Sequence, residues 1–297
     1  MTDIQILHYD AFTSSRGKGN PAGIVLNENT LTSEEMQRIA YRVGFNEVAF
    51  VMTSEHADFK LRYFSPEKEM PLCGHATVCA VQALYEQNQL PQKPTVSIET
   101  NIGVLSVNIG NNANGRLLIT MQQASPQFSP FTGSKEALAR SIGLTEMDLS
   151  PDLPVTYGST GSWTLIVPIT HLAAFKRMSP VNADFPSILT EMPDASVHPL
   201  CLETYDPSSD MHGRHFSAAG TGSVEDPVTG TASAVMGAYY LKYIADQTDQ
   251  AAQLTIEQGQ EMGKDGRVYV NIDPSTDPSS VSISGEAVYV ADFDLTL

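Results

Sequence analysis

The 297 residues carry 34 acidic against 17 basic side chains, a formal net charge of -17, and 41% hydrophobic residues. That length can bury one large core or two ordinary ones, and the acidic balance without lysine or arginine clusters excludes a nucleic-acid surface. No apolar run approaches the roughly 20 residues that span a bilayer. The opening MTDIQILHYD lacks the basic and apolar parts of a secretion signal, and three cysteines make no disulfide framework, so a cytoplasmic protein with no membrane partner is expected.

In chain order, residues 4–9 read as an opening strand, and the polar, glycine-bearing residues 13–20 as a loop able to close over a ligand. Asn20-Pro21-Ala22-Gly23 reads as a turn before a short apolar run. Residues 31–43 read as a helix, with Thr32 as N-cap, Glu35 three residues later, and Met36, Ile39, Ala40 and Val43 on one apolar face. Residues 44–51 lead into a strand with Glu47 at its entrance, and residues 61–64 form another. A helix follows Gly74, and residues 104–109 and 116–121 form a hairpin about the asparagine-rich turn. The proline-rich stretch SPQFSPFTG marks a boundary near residues 120–130. Beyond it come a short helix at 135–142, strands at 164–169 and around 198–204, and an exposed connection at 206–213. The terminal VSISGEAVYVADFDLTL alternates like one or two strands, the last expected to return to the first domain.

Two stretches echo one another. FSAAGTGSVEDPVTGTASAVMGAYY, residues 216–240, sets a glycine-rich, acid-bearing turn before an alanine-rich apolar run long enough for a helix. FSPEKEMPLCGHATVCAVQALY, residues 64–85, does the same, and Ser97-Ile98-Glu99-Thr100 recurs in kind as Thr255-Ile256-Glu257-Gln258. We read a duplication, with domains at 1–122 (joined by the strand at 286–297) and 123–285. The unpaired N–H groups at each helix start would point into its turn, the makings of an anion pocket with a carboxylate at the edge.

Each candidate residue also has a plainer explanation. Asp226, followed by Pro227, is either an acid favourable at a helix start or a proton-transfer group. His75, after Gly74, is either a structural histidine or a relay near neutrality. Cys73 is a possible nucleophile or base, since a helix N-terminus lowers a thiol pKa, whereas Cys79 reads as core. Glu47 is either a solvated strand-edge residue or a used one. His212 and His215 have a local spacing compatible with a metal, but nothing completes a first shell, so surface positions are preferred and no metal is expected. The glycine loops fit no nucleotide template, and no organic cofactor is implied.

At this point the chain resembles the PhzF family of phenazine-biosynthesis-like proteins. The matching pieces are DAFT and GNPAG at 10–13 and 19–23, NEVAF at 46–50, RYFSP and EMPLCGHAT at 62–66 and 69–77, and EDPVTGTA at 225–232. The resemblance implies an α+β fold of two pseudo-symmetric diaminopimelate-epimerase-like domains, each a mixed sheet wrapped around a central helix, with a site in the cleft where the helix starts converge. It implies a cofactor-independent isomerase that shifts a proton, similar to trans-2,3-dihydro-3-hydroxyanthranilate isomerase, and a homodimer. On that pattern Glu47 removes and returns a proton, while His75 and Asp226 orient the substrate. Gly74 and Gly230 admit its carboxylate, Thr231 stands where the family often has serine, and Asn20 and Cys73 complete the expected substrate contacts. SRGKG at 15–19 and FSAAGTGSVEDP at 216–227 depart from the family's usual loops and bear on which small carboxylated metabolite is bound. An amino-acid racemase using two opposed groups, and a noncatalytic metabolite-binding module, are the alternatives.

Overall fold

The structure, a computed structural model, describes residues 3–26, 29–245, 250–276 and 280–297. Its internal contacts divide the chain into Met1–Met121 with Ser284–Leu297, and Gln122–Ile283.

The first unit contains β1 (Asp3–Ala11), β2 (Asn20–Val25), α1 (Ser33–Val43), β3 (Glu47–Met52), β4 (Phe59–Phe64), β5 (Glu69–Met70), α2 (Gly74–Glu86), β6 (Thr95–Thr100), β7 (Gly103–Asn111) and β8 (Leu117–Gln122). The last strand, Ala287–Thr296, lies antiparallel to β1. From β1 the ladder runs antiparallel to β2, parallel to β3, antiparallel to β4, parallel to β6, then antiparallel to β7 and β8. The side chains from His75 to Leu84 in α2 are all buried, as expected of a helix with no polar face. It packs on β1, β2, β3 and the last strand.

Strand parity decides where Glu47 goes. Val48 and Phe50 join Met36, Ile39 and Ala40 of amphipathic α1 in one core, so Glu47, Ala49 and Val51 project to the opposite face, the one α2 covers. Helix α1 starts with the expected capping box, in which Thr32 N–H donates to Glu35 Oε2 at 2.8 Å and Glu35 N–H to Thr32 Oγ1 at 3.3 Å. Asn20-Pro21-Ala22-Gly23 is strand, not the expected turn. Pro21, which lacks an N–H, sits just before the parallel pairing with β3 begins at Ala22↔Glu47, so that ladder loses no donor.

The second unit contains β9 (Gln127–Pro130), α3 (Lys135–Ser141), β10 (Thr156–Ser159), β11 (Trp163–Pro168), α4 (Phe185–Ile188), β12 (Ser196–Cys201), β13 (Met211–Gly213), β14 (His215–Phe216), β15 (Glu225–Asp226), α5 (Gly230–Tyr243), β16 (Ala252–Gln258) and β17 (Gly266–Asp273), with β18 (Ser280–Gly285) running into the first unit's closing segment. Its pairings repeat the first unit's alternation: β9, β10 and β11 antiparallel, β11 parallel to β12, β12 antiparallel to β13 and β14, β13 parallel to β16, and β16 antiparallel to β17. Leu138, Phe175 and Phe185 pack with Leu165, Val167 and Val197 in a core that parallels the one under α1. The expected exposed connection at 206–213 is corrected at its end, because Met211–Gly213 is a fully buried strand.

The registers give residue-level counterparts. Ala22↔Glu47 matches Thr164↔Ser196, Phe64↔Glu69 matches Phe216↔Glu225, and Lys60↔Glu99 matches His212↔Glu257. Glu47 therefore corresponds to Ser196, Tyr63 to His215, Met70 to Asp226, Cys73 to Thr229, and His75 to Thr231.

Candidate active site

In the first unit the chain brings Glu47, Cys73 and His75 together. Cys73 is the N-cap of α2 and Gly74 its first residue, so the turn ends at a helix start, where the first N–H groups have no carbonyl partner within the helix. His75 Nε2 lies 3.2 Å from Glu47 Oε2, and its Nδ1 lies 3.4 Å from Cys73 Sγ. Both ring nitrogens are thus engaged, which fixes the imidazole plane and directs the Nε2 hydrogen at the carboxylate. Burial opposes the charge on His75, but the Cys73 sulfur and Glu47 outweigh it and hold the imidazole well above its ordinary pKa. Glu47 is a half-buried member of this group, not a solvated edge residue. Asn20 is fully buried two residues before Ala22, the register partner of Glu47, so the two side chains share the face covered by α2.

The expectation of an activated Cys73 is corrected. Burial, and next the charge of Glu47, push its thiol up, and these effects exceed what His75 gives back. One donor atom from each of Glu47, Cys73 and His75 falls within 4.8 Å of the others, so this is the grouping among the described residues that could hold a metal ion. A thiol kept protonated fits that role poorly, because metals bind the thiolate.

A polar frame holds the turn. Arg62 forks onto Glu69 with Nε and one terminal nitrogen, both at 2.8 Å. Thr77 Oγ1 donates to the Cys73 carbonyl at 2.7 Å and also meets Tyr63 Oη at 2.7 Å. In the second unit Arg214 forks onto Glu225 at 2.8 and 2.6 Å, and Ser233 Oγ donates to the Thr229 carbonyl at 2.8 Å. Asp226, half-buried on β15, accepts a short hydrogen bond from Thr229 Oγ1. Gln258, buried at the end of β16, accepts from Thr229 N–H at 3.2 Å and donates to the Asp226 carbonyl at 2.8 Å, closing the turn. Gly230 and Thr231 are the first two residues of α5, and Thr160 Oγ1 donates to the Thr231 carbonyl at 3.1 Å.

The histidine pair reads differently from its sequence spacing. His212 is fully buried, not a surface residue, with Nδ1 at 3.1 Å from Glu257 and Nε2 at 3.4 Å from Glu261. His215 instead meets His198, Nδ1 to Nδ1 at 3.1 Å. The alternation of β13 and β14 sends the two rings to different neighbours, which local spacing does not reveal.

Three contributors escaped the sequence reading. Gln258 carried a signal, since it ends the repeated Thr-Ile-Glu-Gln segment. Asp10 carried a weaker one within DAFT: it is completely buried, accepts Gly17 N–H at 2.7 Å and lies 3.1 Å from His8 Nε2, thereby anchoring the 13–19 loop. His198 carried none.

Residues 9–292 match the family described as phenazine biosynthesis-like protein. The chain is similar to the crystal structure of the Bacillus anthracis phenazine biosynthesis protein of the PhzF family, with 54% identity, a TM-score of 0.98 and coverage of 100% of both chains. It is 50% identical to the uncharacterized isomerase YfhB of Bacillus subtilis over 97% of each chain. It is 27% identical to trans-2,3-dihydro-3-hydroxyanthranilate isomerase of Pseudomonas aeruginosa, over 95% of this chain and 96% of that one. With a mixed-sheet repeat around α2 and α5 and these matches along nearly its whole length, the chain belongs to the PhzF family of the diaminopimelate-epimerase-like superfamily and is an isomerase.

Proposed function

We propose that the reaction is a carboxylate-mediated proton shift on a small carboxylated substrate, similar to that of trans-2,3-dihydro-3-hydroxyanthranilate isomerase, with Glu47 as the group that moves the proton. The observation that carries this reading is the Glu47–His75 contact of 3.2 Å at the start of α2. Glu47 takes a proton from an activated carbon of the substrate, becoming a carboxylic acid as the C–H electrons pass into the substrate's conjugated system. Its carboxyl proton exchanges with solvent, and Glu47 then delivers a proton to another carbon on the same face, so charge and atoms balance with water as the only exchange partner.

His75 holds the carboxylate through Nε2, so its aim does not depend on a mobile side chain. The helix N–H groups at Gly74 supply donors suited to the substrate carboxylate. Asp226, held by Thr229, is the second proton-handling or orienting group. Cys73 backs the imidazole and does not attack. Thr229 occupies the corresponding N-cap of α5, so a two-thiol racemase has no second thiol at the matching position.

The test is a metabolite screen in deuterated water read by mass spectrometry. The wild-type protein should place solvent deuterium on a carbon of a small carboxylate, and Glu47→Gln should lower that incorporation by about 100-fold or more while the circular dichroism spectrum stays native. Incorporation at the wild-type rate in Glu47→Gln removes Glu47 from the role. A homodimer is the assembly we propose, and sedimentation at micromolar concentration would decide it.

A further inference from the structure

We propose that His215 is a substrate-recognition residue, whose Nε2 accepts a hydrogen bond from an amino or hydroxyl group of the ligand at the Asp226 turn. The argument begins behind it. His198 is fully buried on β12, with Nε2 at 2.9 Å from Met236 Sδ and Nδ1 at 3.1 Å from His215 Nδ1. A thioether sulfur can only accept, so the hydrogen of a neutral His198 belongs on Nε2. The other tautomer would press two lone pairs together at that distance.

With its hydrogen on Nε2, His198 Nδ1 is an acceptor, and the hydrogen between the two rings must come from His215 Nδ1. Neutral His215 then has a bare lone pair on Nε2. Nδ1 is committed to the β12 side, which leaves Nε2 for the β15 side, where Asp226 is the register partner of His215. His215 is only partly buried, so a ligand at that turn can reach it.

The backing is built for this purpose in three respects. Gly213 makes room, because a Cβ there would lie 2.9 Å from His198 Nε2 and 3.1 Å from Met236 Sδ. Burial, followed by the neighbouring histidines, drives His198 well below its ordinary pKa, which keeps it neutral. Burial also lowers His215, against the opposing pull of Asp226. At the corresponding place in the first unit, Tyr63 satisfies its hydroxyl internally on Thr77 and offers no such acceptor.

Asp226 and His215 therefore present two acceptors side by side. Two acceptors select a ligand end bearing N–H or O–H donors and disfavour one bearing a carbonyl or carboxylate. This deepens the proton-shift reading and rests on it for the substrate, which becomes an amino- or hydroxy-substituted carboxylate. The tautomer assignment stands independently of that reading.

The experiment uses the intact chain labelled with nitrogen-15 in histidine, and long-range nitrogen–proton correlations at pH 7 assign each ring. His215 should be the Nδ1–H form and His198 the Nε2–H form; His215 as the Nε2–H form or as imidazolium overturns the proposal. Diethyl pyrocarbonate, which attacks a bare imidazole nitrogen, should modify His215 and spare His198. Met236→Leu, which removes the acceptor behind His198, should populate the opposite pair of tautomers and slow His215 modification several-fold. Unchanged tautomers in that variant overturn the relay.

In the deuterated-water screen, every species labelled by the wild-type protein should carry an amino or hydroxyl group, and His215→Phe should reduce that labelling several-fold. Labelled species without such a donor, or full labelling by His215→Phe, overturn the recognition role. If Glu47→Gln labels normally while the tautomers are as stated, the proton-shift reading fails and the His215 acceptor survives.

Discussion

Arg62 in the first unit and Arg214 in the second grip Glu69 and Glu225 through the same two-pronged hydrogen bond, yet the turns above them carry different chemistry. The hydroxyl that ties the helix start to its N-cap carbonyl is also repeated, from Thr77 to Cys73 and from Ser233 to Thr229. What differs is the set of side chains on this common frame. The first copy assembles a carboxylate, an imidazole and a thiol; the second a carboxylate, a hydroxyl and a backed histidine. A duplicated scaffold thus repeats a helix start in each unit, and leaves the positions around it free to diverge into unlike roles.

The two units also treat one polar pair differently. Lys60 and Glu99 pair at 2.8 Å with both side chains partly in solvent. Their counterparts His212 and Glu257 are completely buried and share Glu261 and Arg267. Exposed pairs contribute little, whereas removing one member of a buried group strands the others without solvent.

The comparison breaks most visibly at the proton-moving position. Glu47→Gln should lower deuterium incorporation by about 100-fold or more, and Ser196→Ala, at the matching place, should change it by less than about twofold; similar losses from both would mean the copies are functionally alike. Next in size is stability. His212→Leu should cost about 3–5 kcal/mol in urea unfolding and Lys60→Met less than about 1 kcal/mol, so equal shifts would show that burial does not separate the two pairs.

The helix centres give a smaller contrast. Gly237 of α5 corresponds to Val81 of α2, but a Cβ at Gly237 would lie 2.7 Å from Val270 and 2.8 Å from Ile272. Gly237→Val should cost about 1–3 kcal/mol, and an unchanged denaturation midpoint would mean that β17 gives way freely.

The mildest effect is in pH. His75 is raised, so its contribution to stability is complete below the unfolded histidine value near 6.5 and is lost as pH rises through the folded value. His198 is lowered, so its contribution is present above about 6.5 and is lost as pH falls toward the folded value. The melting gap between wild type and His75→Gln should widen from about pH 9 to pH 6, and the gap for His198→Gln should narrow from about pH 7.5 to pH 5. Parallel trends in the two variants would show that these histidines do not differ in charge.

Much of this was legible before any coordinates. The capping box of α1 is a purely local pattern, and the echo between residues 64–85 and 216–240 announced two helix starts with acid-bearing turns. Glu47 and His75 were nominated by their places in family motifs. The thiol of Cys73 was misread because a helix start is visible in sequence, while the burial that outweighs it is not. Asn20-Pro21-Ala22-Gly23 was misread because turn-forming residues are tolerated where a strand has not yet gained its second neighbour.

By itself the chain determined the periodic elements, the repeat and the residue types at each turn, since these depend on neighbours a few positions away. Only tertiary structure decided that Glu47 faces His75, that His212 joins two glutamates and that His215 joins His198. Those choices follow from strand register and parity, where a shift of one residue sends a side chain to the opposite face and to a different set of charges.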